Sequence, residues 1–245
     1  MDFTKLIINL NNRPNRLISC IQELKKVNLN DKITIIDAVT PDLIKDNLSS
    51  YITIEALNNI KNPKNTLIIP NYTSIACAES HKKCWKYIID KNIKDCIIIE
   101  DDIKINDVEK FKFDLENIIN LNCQYNGNTS SVDSGLFITF NSKEHYISDY
   151  KELNIIKGIF TGLHFYYINN LMAKHLYDNI KFYTYQIDIE IGLLSMKMNS
   201  MCSQYNNFYN IKTNSIIQNN NFISDVQFYN ISINEISQLF NININ

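Results

Sequence analysis

Ile97-Ile98-Ile99-Glu100-Asp101-Asp102 is the stretch on which the reading of this chain turns. A β-branched apolar run has the composition of a buried strand, and three carboxylates directly behind it mark where that strand leaves the core. Adjacent acids repel one another, so ionising all three is costly unless a cation lies among them. A hard divalent ion with oxygen ligands is the natural relief. In α/β proteins, ligands bind beyond the carboxyl ends of the strands. A solvated acidic turn explains the triplet equally well when it is taken alone, so the flanking sequence decides.

Working outward, Thr73 to Asp90 places Ile75, Cys77, Ala78, His81, Cys84, Trp85 and Ile88 at helical spacing just before the strand Asp95–Ile99. Further upstream, Lys5 to Leu10 is a short apolar run ending in Asn9-Leu10-Asn11-Asn12. Pro14 then falls in a first helical turn, with Leu17, Ile18, Ile21 and Leu24 behind it. Lys32 to Ala38 gives a second strand ending at Asp37, followed from Pro41 to Asn62 by an irregular or short helical connection. Downstream, Val108 to Leu121 reads as helix, Ser134 to Phe140 as strand and Asn169 to Tyr177 as helix. Tyr183 to Met198 is apolar and partly helical, and Ile231, Ile233, Ile236 and Leu239 suggest a closing helix. Strands alternating with helices predict an α/β fold, its mostly parallel central sheet flanked by helices. With no repeat and no linker, a single domain over 1–245 is expected.

The composition bounds the function. A chain of 245 residues buries a sizeable core without staples. A formal net charge of -2 with 20% charged residues leaves no electrostatic footprint for nucleic acid. The six cysteines form no C-x-x-C pair, which predicts reduced core thiols and argues against zinc. No segment is long and apolar enough to span a bilayer, and the basic-then-apolar pattern of a signal peptide is missing, so a cytoplasmic location is expected.

Read together, Leu6-Ile7-Ile8-Asn9-Leu10 with Arg13 and Arg16, Ile36-Asp37-Ala38-Val39, Ala76-Cys77-Ala78-Glu79-Ser80-His81 with Trp85, and Ile98-Ile99-Glu100-Asp101-Asp102 resemble the pattern of glycosyltransferase family 25. Thr161-Gly162 with Tyr166, then Ala173 and Leu176, Asp188 and finally Ser224-Asp225 continue the likeness in order along nearly the whole chain. That family contains bacterial lipopolysaccharide galactosyltransferases and collagen hydroxylysine galactosyltransferases. Ser74-Ile75-Ala76 stands where the family commonly carries glycines, and His164 at a position that is often small or polar.

The resemblance implies a single GT-A-like nucleotide-sugar-binding domain, with a nucleotide-binding half over about 1–105 and an acceptor-binding half over about 106–245. It implies transfer of a hexose, galactose or glucose, with inversion, from a UDP-sugar to a hydroxyl of a glycan or of a glycosylated or hydroxylated protein. The cofactor is Mn²⁺ or Mg²⁺. A degenerate member that binds nucleotide or glycan without turnover is the alternative. Asp102 is the first metal ligand, with Glu100 on the metal through water or on the ribose, Asp101 supporting the site or joining the coordination shell, and Asp225 completing that shell. Asn9, Leu10, Asp37 and Ala38 lie at strand ends that meet the nucleoside, and Arg13 or Arg16 meets the diphosphate at a helix start. Ser80 and His81 buttress the acidic loop. The inverting reaction needs a base, for which Asp188 or Glu190 is the candidate.

Overall fold

The computed structural model describes residues 3–45, 47–56, 70–120, 124–128, 145–150, 153–157, 162–198, 208–212, 215–219 and 222. The expected strand Ser134–Phe140, the closing helix and Asp225 lie outside these residues. Along the chain run β1 (Thr4–Asn9), α1 (Pro14–Lys26), β2 (Ile33–Asp37), α2 (Pro41–Lys45), α3 (Tyr72–Asp90), β3 (Asp95–Glu100), β4 (Ile103–Ile105) and α4 (Val108–Asn120). They are followed by β5 (Gln124–Asn128), β6 (His145–Tyr150), β7 (Leu153–Lys157), β8 (Phe165–Asn169), α5 (Asn170–Asn179), α6 (Ile187–Met198), β9 (Phe208–Lys212) and β10 (Ile216–Gln218).

Local chemistry accounts for three of the helix starts. Pro14 occupies the first turn of α1, where its missing N–H removes no hydrogen bond. Asn71 caps α3 reciprocally: its Oδ1 accepts from Ser74 N at 2.8 Å, and Ser74 Oγ accepts from Asn71 N at 2.7 Å. Asn169 caps α5 through Met172 N at 2.8 Å. Asn28 and Asn92 take φ of 58° and 50°, the left-handed region that asparagine tolerates best after glycine.

The main sheet has the order β2-β1-β3-β8-β5-β9-β7-β6. β2, β1 and β3 are parallel, and β8 runs antiparallel to β3. Following the pairings outward, only β8 and β7 point against the other six strands, so the sheet is mostly parallel in direction as expected. A separate antiparallel pair joins β4 to β10.

Period-two alternation divides the core between the two faces of the sheet. Leu6, Ile8, Ile36, Ile98, Tyr166 and Ile168 pack with residues of α3, α5 and α6. Ile7, Ile35, Ile97, Ile99, Phe165 and Tyr167 pack with α1, α4 and the β4–β10 pair. Because Ile8 stands opposite Glu100, β1 and β3 end together and deliver Asn9 and the acids to one edge. None of the described helices is long and apolar enough to cross a membrane.

Candidate active site

Strand parity sorts the three acids to different neighbours. Glu100 follows Ile98 toward α3, where His81 Nε2 lies 3.1 Å from Glu100 Oε1 and Cys77 Sγ lies 3.8 Å from the same oxygen. Beneath them, His81 Nδ1 is 3.0 Å from the Tyr166 hydroxyl, which accepts from Trp85 Nε1 at 3.0 Å. A carboxylate can only accept, so Nε2 carries the hydrogen facing Glu100. In the neutral ring Nδ1 then accepts from Tyr166. Trp85, Tyr166 and His81 thus form a buried chain of hydrogen bonds ending on Glu100.

Burial alone would push the Glu100 carboxyl up, but the His81 hydrogen bond, with the charges of His81, His164 and Arg16, holds it below its ordinary value.

Asp101 and Asp102 turn toward α1. Asn9 Nδ2 donates to Asp101 Oδ2 at 2.6 Å, and Arg16 Nη2 reaches Asp101 Oδ1 at 2.6 Å and Asp102 Oδ2 at 2.7 Å. Gln218 Nε2 donates to Asp102 Oδ2 at 2.9 Å, Asn219 N–H donates to the Asp102 carbonyl, and the Phe222 ring lies 5.7 Å from the Arg16 guanidinium carbon. Gln218, Asn219 and Phe222 therefore lie against Arg16 and the acidic turn. Burial raises Asp101 to about 6 against the pull of Arg16. Burial and then the charge of Glu100 raise Asp102. Asp102 Oδ1 is buried with no hydrogen-bond partner among the described residues.

Asp188, near the start of α6, lines the same cleft as Glu100. Its Oδ2 accepts from Gly162 N at 2.6 Å and its Oδ1 from Ile189 N at 2.8 Å. Gly162 takes φ of 90°, a conformation that presents this N–H and that a side chain would disfavour. Burial raises the Asp188 carboxyl, and the two N–H donors partly offset it. Asp188, Glu100, Cys77, Gly162, His164 and Gln218 line one cleft of ≈ 110 Å³, room for several water molecules or a phosphate-sized group.

Ser80 is buried and its Oγ accepts from Val39 N at 2.8 Å, fastening the loop after β2. Asp37 is exposed, with its carbonyl accepting from Lys83 Nζ, and Ala38 N donates to Asn9 O at 3.0 Å. Leu10 and Arg13 form the turn into α1, with Arg13 N donating to Leu10 O at 2.8 Å. Glu190 turns away from the cleft, its Oε1 accepting from Thr184 N at 2.7 Å and Tyr185 N at 2.9 Å.

The structure thus brings Asn9, Arg16, Ser80, His81, the three acids and Asp188 around one strand edge. Gln218 and Phe222 escape sequence reasoning, since isolated Gln and Phe in an Asn-rich tail carry no spacing signal. Gly162 is legible as one of only 5 glycines.

Among solved structures, an active-site mutant of LgtC is similar at 10% identity and a TM-score of 0.41, covering 98% of this chain and 94% of that one. The galactosyltransferase LgtC with donor and acceptor sugar analogs is similar at 11% identity and TM-score 0.40 over the same shares, 98% and 94%. Mouse xyloside xylosyltransferase 1 in its apo form is similar at 9% identity and TM-score 0.39, covering 90% and 98%. No curated protein matches the chain. The assignment rests instead on a family model that matches residues 3–191, a span that holds Asn9, Arg16, Ser80, His81, the three acids and Asp188. The chain belongs to glycosyltransferase family 25, the family described as LPS biosynthesis proteins.

Proposed function

We propose that this glycosyltransferase moves a hexose, galactose or glucose, from a UDP-sugar to a hydroxyl of a glycan or of a hydroxylysine-type protein acceptor, with inversion and with a divalent metal. The observation that carries this reading is that one cleft is lined by two separate acids, Glu100 from the end of β3 and Asp188 from the start of α6. An inverting transfer needs that separation of roles: charge neutralisation on the leaving-group side and a base on the acceptor side.

The donor set fits a hard cation. Its side chains are carboxylates, and the buried Asp102 Oδ1 has no partner among the described residues. Glu100 and Asp102 would hold Mn²⁺ or Mg²⁺, which when bound neutralises the charge that develops on a diphosphate leaving group. Asp225, outside the described residues, is a further proposed ligand. Arg16, and Arg13 at the same helix start, bind the diphosphate. Asn9, Leu10, Asp37 and Ala38 at the ends of β1 and β2 meet the nucleoside, with Ser80 holding their loop. Asp188 takes the proton of the acceptor hydroxyl. Glu190 supports it by fixing the turn into α6.

Isothermal titration with UDP, with and without Mn²⁺, beside Asp102→Ala tests the reading. Metal-dependent UDP binding that vanishes in the variant is expected. Absence of UDP binding in both conditions overturns the proposal and leaves the degenerate binder as the alternative.

A further inference from the structure

We propose that Cys77, His81 and Glu100 form a second metal site, for a zinc-class ion, distinct in ligand chemistry from the all-carboxylate site of Glu100 and Asp102. Cys77 and His81 are four residues apart on α3 and share a face, and Glu100 ends the adjoining strand β3. One donor atom from each lies within 4.8 Å of the others. A tetrahedral ion with ordinary zinc bond lengths sets its nitrogen and oxygen ligands about 3.3 Å apart and its sulfur and oxygen ligands about 3.6 Å apart. Here His81 Nε2 is 3.1 Å from Glu100 Oε1, and Cys77 Sγ is 3.8 Å from it. Two edges of the ligand triangle are thus close to those of that tetrahedron, and the third, between Cys77 and His81, lies within 4.8 Å.

Two surrounding features support a ligand. His81 Nδ1 meets the Tyr166 hydroxyl at 3.0 Å, the outer hydrogen bond that orients a metal-binding imidazole. His164 is 2% exposed, lines the same cleft, and its Nε2 has no partner among the described residues. The fourth position of the ion faces that cleft.

Sulfur and nitrogen donors select zinc over magnesium or manganese. Binding displaces the Cys77 thiol hydrogen to solvent and moves the His81 hydrogen from Nε2 to Nδ1, and the Tyr166 O–H turns away from the ring so that its oxygen accepts there. The cysteine spacing argues only against zinc sites built on cysteine pairs. This site uses one cysteine, and its third ligand is remote in sequence. Since Glu100 serves both sites, the two ions compete. The inference does not depend on which sugar, if any, is transferred.

Cobalt is the probe, because thiolate-bound tetrahedral Co²⁺ has a sulfur-to-metal charge-transfer band in the near ultraviolet that all-oxygen sites lack. The full chain, stripped with a chelator and kept reduced without thiols, is titrated with Co²⁺ and then with Zn²⁺. One equivalent of Co²⁺ is expected to give the band and Zn²⁺ to bleach it. Cys77→Ser is expected to abolish it and to weaken Zn²⁺ by more than about 100-fold, the upper range for losing only an outer partner. Asp102→Asn keeps the band. No band in the native chain, or a band that survives Cys77→Ser, overturns the proposal. If Cys77→Ser does not fold, carboxymethylation of native Cys77 followed by mass spectrometry decides the same point. Protection by Zn²⁺ supports the site, and equal labelling with and without Zn²⁺ overturns it.

Discussion

Arg16 is ion-paired to Asp102 at 2.7 Å, and the same guanidinium nitrogen reaches Asp101. One fixed cation therefore balances two mostly buried carboxylates. Removing it leaves both without a counter-charge, a loss of about 3 kcal/mol for a buried pair. Arg16→Gln is expected to lower the melting temperature by roughly 6–12 °C. If Mn²⁺ binds these carboxylates as proposed, it replaces the missing charge and is expected to raise the melting temperature of the variant more than that of the native chain. Equal increments would count against metal binding by these acids.

Asp188 carries the second prediction. As the proposed base, it must be ionised to accept a proton, and burial places its carboxyl above the ordinary 3.8. The raised value means that the protonated, inactive form persists to higher pH than for an exposed aspartate, so activity rises with pH through that value. Asp188→Asn is expected to lower kcat by about 10²- to 10⁴-fold and to abolish this acid limb. Glu190→Gln keeps an acceptor oxygen for Thr184 and Tyr185, so its limb stays in place. A pH profile of kcat for the three proteins separates the two acids.

The parts of the fold legible in the sequence are those where local pattern and tertiary role agree. Pro14, the apolar run Ile97–Ile99 and the spacing from Ile75 to Ile88 each state their element, and α1, β3 and α3 lie where those patterns put them. The triplet Glu100-Asp101-Asp102 locates the site because unpaired acids after a buried strand need an explanation. The split of the triplet between α3 and α1 follows from strand parity, yet the partners His81 and Arg16 depend on helix packing that local spacing does not encode. Three-residue strands such as β4 and β10 pair across more than 100 positions, and their sequences alone carry too few residues to show a period. Asp114 illustrates the same limit. Nothing in its helical stretch sets it apart, yet it is fully buried, accepting from Ser215 Oγ at 2.8 Å and facing Lys110 Nζ at 3.3 Å.

Tyr166 joins Trp85 to His81 within the core, so deleting its hydroxyl isolates two groups at once. Tyr166→Phe leaves the Trp85 N–H and His81 Nδ1 buried without their partner, a destabilisation of about 3 kcal/mol. Urea unfolding is expected to shift accordingly. Trp85→Phe costs less at the polar end of the chain, because Tyr166 loses an incoming donor and still reaches His81. A Tyr166→Phe variant as stable as the native chain would contradict the hydrogen-bond chain.

The last prediction concerns Lys5, which is fully buried on β1 and pairs with the mostly exposed Asp31. The Lys5 hydrogen bond holds the Asp31 carboxyl below its ordinary 3.8, against a smaller opposing effect of burial. A folded value below the unfolded one means that Asp31 contributes stability in full above pH 3.8 and loses it as pH falls through the lowered value. Asp31→Asn removes the charge facing a buried ammonium. The exposure of Asp31 screens the pair, so the cost at pH 7 is about 1–2 kcal/mol rather than that of a fully buried one. Urea unfolding of both proteins at pH 7 and in acid gives the check. The native chain is expected to be the more stable at pH 7, and the gap to close as pH drops below 3.8. A gap that stays constant into acid would mean that Lys5 is held by packing of its stem and not by the carboxylate.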